Sequence, residues 1–118
     1  MNIANKRETL LLKLLMAPAE AQLTMRSLIN FEWDFKGTPI VLTREHVTAA
    51  LHLYLRGQLS EAQMEFWSNC IEGREDLSYE AGHQFRIESA MYELANPVLT
   101  QALQPRRGKQ LLEQLAAN

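Results

Sequence analysis

The chain has a single cysteine and five glycines, and it has no apolar run approaching the ~20 residues that a membrane-spanning helix needs. One thiol, Cys70, cannot form an internal disulfide, which excludes a disulfide-stapled scaffold and fits a reducing, cytoplasmic setting. Its acidic neighbours Glu72 and Glu75 deny it the electropositive surroundings of a reactive cysteine, so it reads as a small buried hydrophobe. Zinc signatures are missing too: there is no H-E-x-x-H and no C-x-x-C. His46 and His52 fall on different faces of one predicted helix and cannot share a metal, and His46 reads as a solvated side chain. Neither a glycine-rich phosphate loop nor a G-x-S-x-G nucleophile elbow occurs. No catalytic residue, metal or cofactor is therefore expected.

What is present is a chain of 118 residues, 47% apolar and 22% charged, enough for one domain spanning 1–118 with a single core. Lys6 and Arg7 before LLLKLLM, followed by APAEA, mimic a secretory signal. Lys13 interrupts the apolar run and Glu8 sits ahead of it, so the segment 6–16 reads as an amphipathic first helix. Pro18 opens a second helix to about residue 29. Thr43 is an N-cap, with Leu42 and Val47 as a hydrophobic staple, and Gly57 is a left-handed C-cap. Ser60 and Gln63 form a capping box for a helix over 60–72, flanked by the staple pair Leu59 and Met64 and closed by Gly73. The short connection predicts that 43–56 and 60–72 pack together as a helical hairpin. A further helix is expected from Asp76 or Ser78 to about residue 95, with Phe85, Ile87, Met91, Tyr92 and Leu94 inward. Asn96-Pro97 restarts a short helix to about 103, and Pro105 starts the last. The architecture is all-α: a compact single-domain bundle of five to seven helices with one irregular loop at about 30–42. In that loop the alternation of aromatics and acids in FEWDF could make a short strand, but with no partner strand in view the aromatics read as core plugs, with Trp33 alternatively an exposed binding anchor.

Charge is unevenly spread. Between Leu59 and Pro97 lie Glu61, Glu65, Glu72, Glu75, Asp76, Glu80, Glu88 and Glu93, opposed by Arg74 and Arg86 alone, although the whole chain stands at only −2. The predicted helix 60–72 has no lysine or arginine and would repel phosphate, which argues against nucleic-acid binding. Arg106, Arg107 and Lys109 read as an ordinary solvated helix start. The turn EGRED, residues 72–76, is expected to face solvent, as a plain hydrated turn or as a recognition surface for a basic partner. Its carboxylates would serve as acid/base groups only in a pocket that raises their pKa values. Glu93 reads as part of a structural polar network.

Three strings, LTREHVTAALHLYLRGQLS, FWSNCIEGREDLSYE and YELANPVL, together resemble a group of all-helical bacterial immunity proteins encoded beside polymorphic toxins, such as contact-dependent growth-inhibition effectors. The resemblance covers about residues 40–100. Ser68 stands where the pattern has alanine, and Leu77 where it has isoleucine. It implies a non-enzymatic cytoplasmic protein whose partner is a cognate toxin domain, with no role for nucleic acid or membrane. Opposite fields would speed capture of a basic, nuclease-type toxin. On that reading Glu72, Glu75, Asp76 and Glu80 form an electrostatic rim, Arg74 is a registration contact, and Trp33, Trp67 or Tyr79 is the buried anchor, Trp67 being otherwise a core residue. The alternatives are a regulatory or adaptor protein using the same face and a small enzyme using the EGRED carboxylates.

Overall fold

A computed structural model describes residues 3–31 and 37–117; the expectation for Trp33 lies outside them. Two capping boxes fix the centre of the chain. Thr43 Oγ1 accepts from the His46 amide at 3.3 Å while the Thr43 amide donates to His46 Nδ1 at 3.0 Å, starting α3 (Arg44–Leu55). Ser60 and Gln63 make the equivalent exchange at 3.0 and 2.8 Å, starting α4 (Glu61–Ile71). His46 is therefore not the solvated side chain expected: its ring occupies the place that Gln63 occupies in α4.

Gly57, with φ +77°, ends α3. The Gln58 amide reaches the Leu53 carbonyl at 2.8 Å and the Gly57 amide reaches Tyr54 at 3.0 Å, the paired bonds of a Schellman cap. After this turn the two helices diverge from the expected hairpin. Each finds its principal neighbour elsewhere, α3 against α6 (Pro105–Ala116) and α4 against α5 (Gln84–Ala95). Gly108 lets α6 approach α3 closely, since a Cβ there would lie 3.3 Å from Leu55 Cδ2.

The N-terminal helix α1 (Ile3–Met16) and α2 (Ala21–Leu28), joined by a 3-10 turn over Pro18–Glu20, pack on each other. Leu11, Leu14 and Leu15 of α1 are buried with Val47, Leu51, Met64, Trp67, Ile71, Ile87, Met91, Leu111 and Leu115. Trp67 has no solvent exposure, and its indole N–H donates to the Leu14 carbonyl at 2.7 Å. The polar end of a large apolar ring is thus satisfied in the core.

Two expectations fail in the same place. Ile40–Leu42 is a strand, β1, rather than the end of a loop, and Leu77–Tyr79 is a strand, β2, rather than the start of a helix. They pair in parallel, Ile40 with Leu77 and Leu42 with Tyr79. The Ile40 amide extends the ladder to the Asp76 carbonyl, and the Glu80 amide extends it to Leu42. Helix α5 accordingly begins at Gln84. Residues 97–103 are not helical either. Asn96 turns back to the Tyr92 carbonyl at 2.8 Å, closing α5 instead of opening a new helix. The chain then runs irregularly to bury Leu103, whose carbonyl accepts from the Tyr54 hydroxyl. The protein is thus a predominantly helical, all-α globule of six α-helices among the described residues, with one small parallel pair. None of its described helices is long and apolar enough to cross a membrane.

Candidate binding surface

Helix α4 ends in a turn that shapes the EGRED segment. Glu72 has φ −61° and ψ 132°, Gly73 has φ +80°, and the Arg74 amide returns to the Ile71 carbonyl. This is a type II turn, which requires glycine at its third position. It turns the chain so that Arg74 and Asp76 point inward while Glu75 faces solvent.

Asp76 is 1% exposed, which corrects its place on a solvent-facing rim. Its Oδ1 and Oδ2 accept from Arg74 Nε and Nη2 at 2.8 and 2.9 Å, and Oδ2 also accepts from Arg7 on α1. Burial alone would raise the Asp76 carboxyl. Hydrogen bonds and positive charge from Arg74, then from Arg7, outweigh it and hold the group below its usual range. A carboxyl so held stays ionised at neutral pH and is not a general acid. Arg74 commits its Nε and Nη2 to this pair. Arg7 lies against the Phe31 ring, 5.9 Å from its centroid.

Glu80 is also occupied. It accepts from the Arg44 amide at 3.0 Å and from Arg44 Nε at 3.3 Å, so it sits at the N-terminus of α3, where negative charge is favoured. The Arg44 amide is the main reason that its carboxyl lies below the ordinary value. Glu93 grips Arg107 through two contacts of 2.7 Å, as expected of a structural network, and this also removes one member of the C-terminal basic cluster. Three of the segment's acids are therefore held by arginines of the same chain.

What remains is a groove of about 600 Å³ where α4 ends, bounded by Glu72, Gly73 and Arg74, by Tyr79 on β2, and by Phe85, Glu88, Ser89 and Tyr92 on α5. Of the residues singled out in the sequence, the structure brings Glu72, Arg74 and Tyr79 to this groove. Glu75 and Glu80 are not among its lining residues, and Trp67 belongs to the core. Phe85 and Tyr92, expected in the core, are 82% and 46% exposed. The helix carries two stripes: Ile87, Ala90, Met91 and Leu94 face inward, while Phe85, Glu88, Ser89 and Tyr92 recur at i, i+3, i+4 and i+7 on another face.

Tyr79 is half-buried, and its hydroxyl is pushed up first by burial and then by the negative charge of Glu88 and Glu72. Cys70 is also half-buried, and burial pushes its thiol up to about 11 against the opposing charge of Arg74, far from the low values of nucleophilic cysteines. Among the described residues no group of three or more histidine, cysteine or carboxylate side chains is placed to hold a metal ion. Comparison with protein families, with curated proteins and with solved structures finds no match to this chain. The arrangement offers aromatic faces, anionic charge and a rigid turn, which are materials of a binding surface.

Proposed function

We propose that the protein is a non-enzymatic binding protein that captures a basic protein partner on the groove between the end of α4, β2 and α5, acting in the cytoplasm as an immunity protein against a toxin domain. The observation that carries this reading is the exposure of the aromatic rings Phe85 and Tyr92 beside Glu72 and Glu88 in one groove. Aromatic side chains left in solvent within an anionic groove suit the centre of a protein interface, where such residues supply most of the binding energy. The long-range field of the acids would speed the encounter with a cationic partner. The groove also lies within the stretch that resembles immunity proteins. The rim of this interface comprises Glu72, Glu75 and Glu88. Asp76 and Arg74 support the turn from beneath.

The test is co-expression with the C-terminal domain of the large secreted protein encoded immediately upstream, scored by growth and by co-purification. Rescue of growth with a 1:1 complex, lost on Phe85→Ala with Tyr92→Ala, is the expected result. A toxic upstream domain that is neither neutralised nor bound would refute immunity.

A further inference from the structure

The segment 59–97 treats its carboxylates in two ways. Asp76 is held by Arg74 and Arg7, Glu80 by Arg44, and Glu93 by Arg107. Among the described residues, Glu72 and Glu88 have no arginine or lysine partner, and both line the groove. Among the described residues, the Glu72 carboxylate accepts a long side-chain hydrogen bond of 3.4 Å from Asn96 Nδ2. Arg74, the cation among the lining residues, has Nε and Nη2 turned to Asp76.

We infer that this groove is a receptor for an arginine side chain, presented by the protein partner, whose guanidinium stacks on the aromatic wall of Tyr79, Phe85 and Tyr92 while Glu72 and Glu88 accept its N–H groups. The inference rests on the binding function proposed above and names the chemistry of its anchor. Three properties of the groove select this occupant. An apolar side chain seated there would strip water from two carboxylates and return no hydrogen bond. A phosphate or carboxylate would meet repulsion from both. A guanidinium is planar, stacks on aromatic rings, presents a fork of donors and is weakly hydrated, whereas a lysine ammonium satisfies the charge but not the plane. Burial first, and then the negative charge of Glu88 and Glu72, raises the Tyr79 hydroxyl, so both carboxylates act on a ring that lines the groove. The volume of about 600 Å³ leaves room for flanking backbone as well as for the side chain.

The experiment is an NMR titration of the whole protein with the blocked tripeptide acetyl-Gly-Arg-Gly-amide and with its lysine and citrulline analogues. The arginine peptide is expected to give saturable shifts at the Tyr79, Phe85 and Tyr92 rings and at the 72–74 amides, with millimolar affinity that weakens in high salt. The citrulline analogue, isosteric and uncharged, should give none, and lysine should bind more weakly. Glu72→Gln with Glu88→Gln, both surface changes, should reduce affinity roughly 5-fold or more without altering the circular dichroism spectrum. Absence of saturable groove shifts, equal binding of the lysine or citrulline analogue, or indifference to the double substitution overturns the inference. A partner captured equally well by the double variant would also overturn it and leave the capture function standing. If no partner is captured, the function fails and the peptide titration still stands on its own.

Discussion

Arg7, on the first helix, and Asp76, at the edge of β2, are joined through Nε and Nη2 at 3.1 and 3.0 Å from one buried carboxylate oxygen. Arg74 occupies the same carboxylate from within its own turn. Removing the shared acid leaves positive charge in a nearly closed site. Asp76→Ala is therefore expected to cost about 3–5 kcal/mol in urea unfolding, the usual penalty for orphaning one side of a buried pair. Glu75→Lys, one residue away and exposed, should change stability by no more than ~0.5 kcal/mol. Equal effects of the two would contradict the burial of Asp76.

The same carboxylate sets an acid limit. It lies below its ordinary value in the folded protein, whereas the unfolded group titrates near ~3.9. The unfolded chain thus takes up the proton first as pH falls. The contribution of Asp76 is complete above about pH 4 and is lost as the pH drops through the lower folded value. Denaturant midpoints measured from pH 6 to pH 2 should fall steeply at the acid end in the wild type, and the fall should be shallower in Asp76→Asn.

His46 gives a second, milder dependence. Its Nδ1 accepts from the Thr43 amide, which requires the ring to be neutral. Burial lowers its pKa, partly offset by Glu45 and Glu80. The cap is therefore intact above the unfolded value of ~6.5 and weakens as pH falls through the lower folded value. Unfolding at pH 7.5 and pH 5 should differ by no more than ~1 kcal/mol on this account. His46→Gln, which restores the Ser60–Gln63 arrangement, should abolish the difference.

The two stripes of α5 separate by mutation. Phe85→Ala removes a ring that is mostly in water and should cost less than ~1 kcal/mol. Met91→Ala, fully buried on the other face, should cost about 2–5 kcal/mol. Comparable losses would mean that Phe85 is packed rather than displayed.

Cys70 offers a chemical check. With its thiol near 11, little thiolate exists at pH 8, and reaction with a disulfide reagent should be far slower than for a free cysteine of pKa ~8.5. Fast labelling of the native protein would contradict its half-buried position.

Where local chemistry decides the structure, the sequence was readable. Thr43, Ser60 with Gln63, Gly57 and the core place of Trp67 all follow from neighbours within a few residues, and so does the largely helical class. The errors share a cause. Asp76 reads as part of a charged turn because the arginine that completes its burial comes from Lys6-Arg7, at the far end of the chain. Ile40–Leu42 and Leu77–Tyr79 are each too short to announce a strand, and each becomes one only against the other. Phe85 and Tyr92 look like core residues until the opposite stripe of α5 is seen to fill the core. The groove was legible in Glu72, Arg74 and Tyr79, and its aromatic wall was not.

The parallel pairing of β1 with β2 has a kinetic consequence. Parallel strands cannot be joined by a tight turn, and here the chain between them consists of α3 and α4 with their own caps. Those helices can form from local contacts, whereas the strand ladder and the Arg7–Asp76 bond must await closure of long stretches of chain. The strands are therefore expected to close late, as a latch on helices already formed. Weakening that latch, for instance with Val41→Gly, should steepen escape from the native state and leave the refolding rate nearly unchanged in stopped-flow measurements.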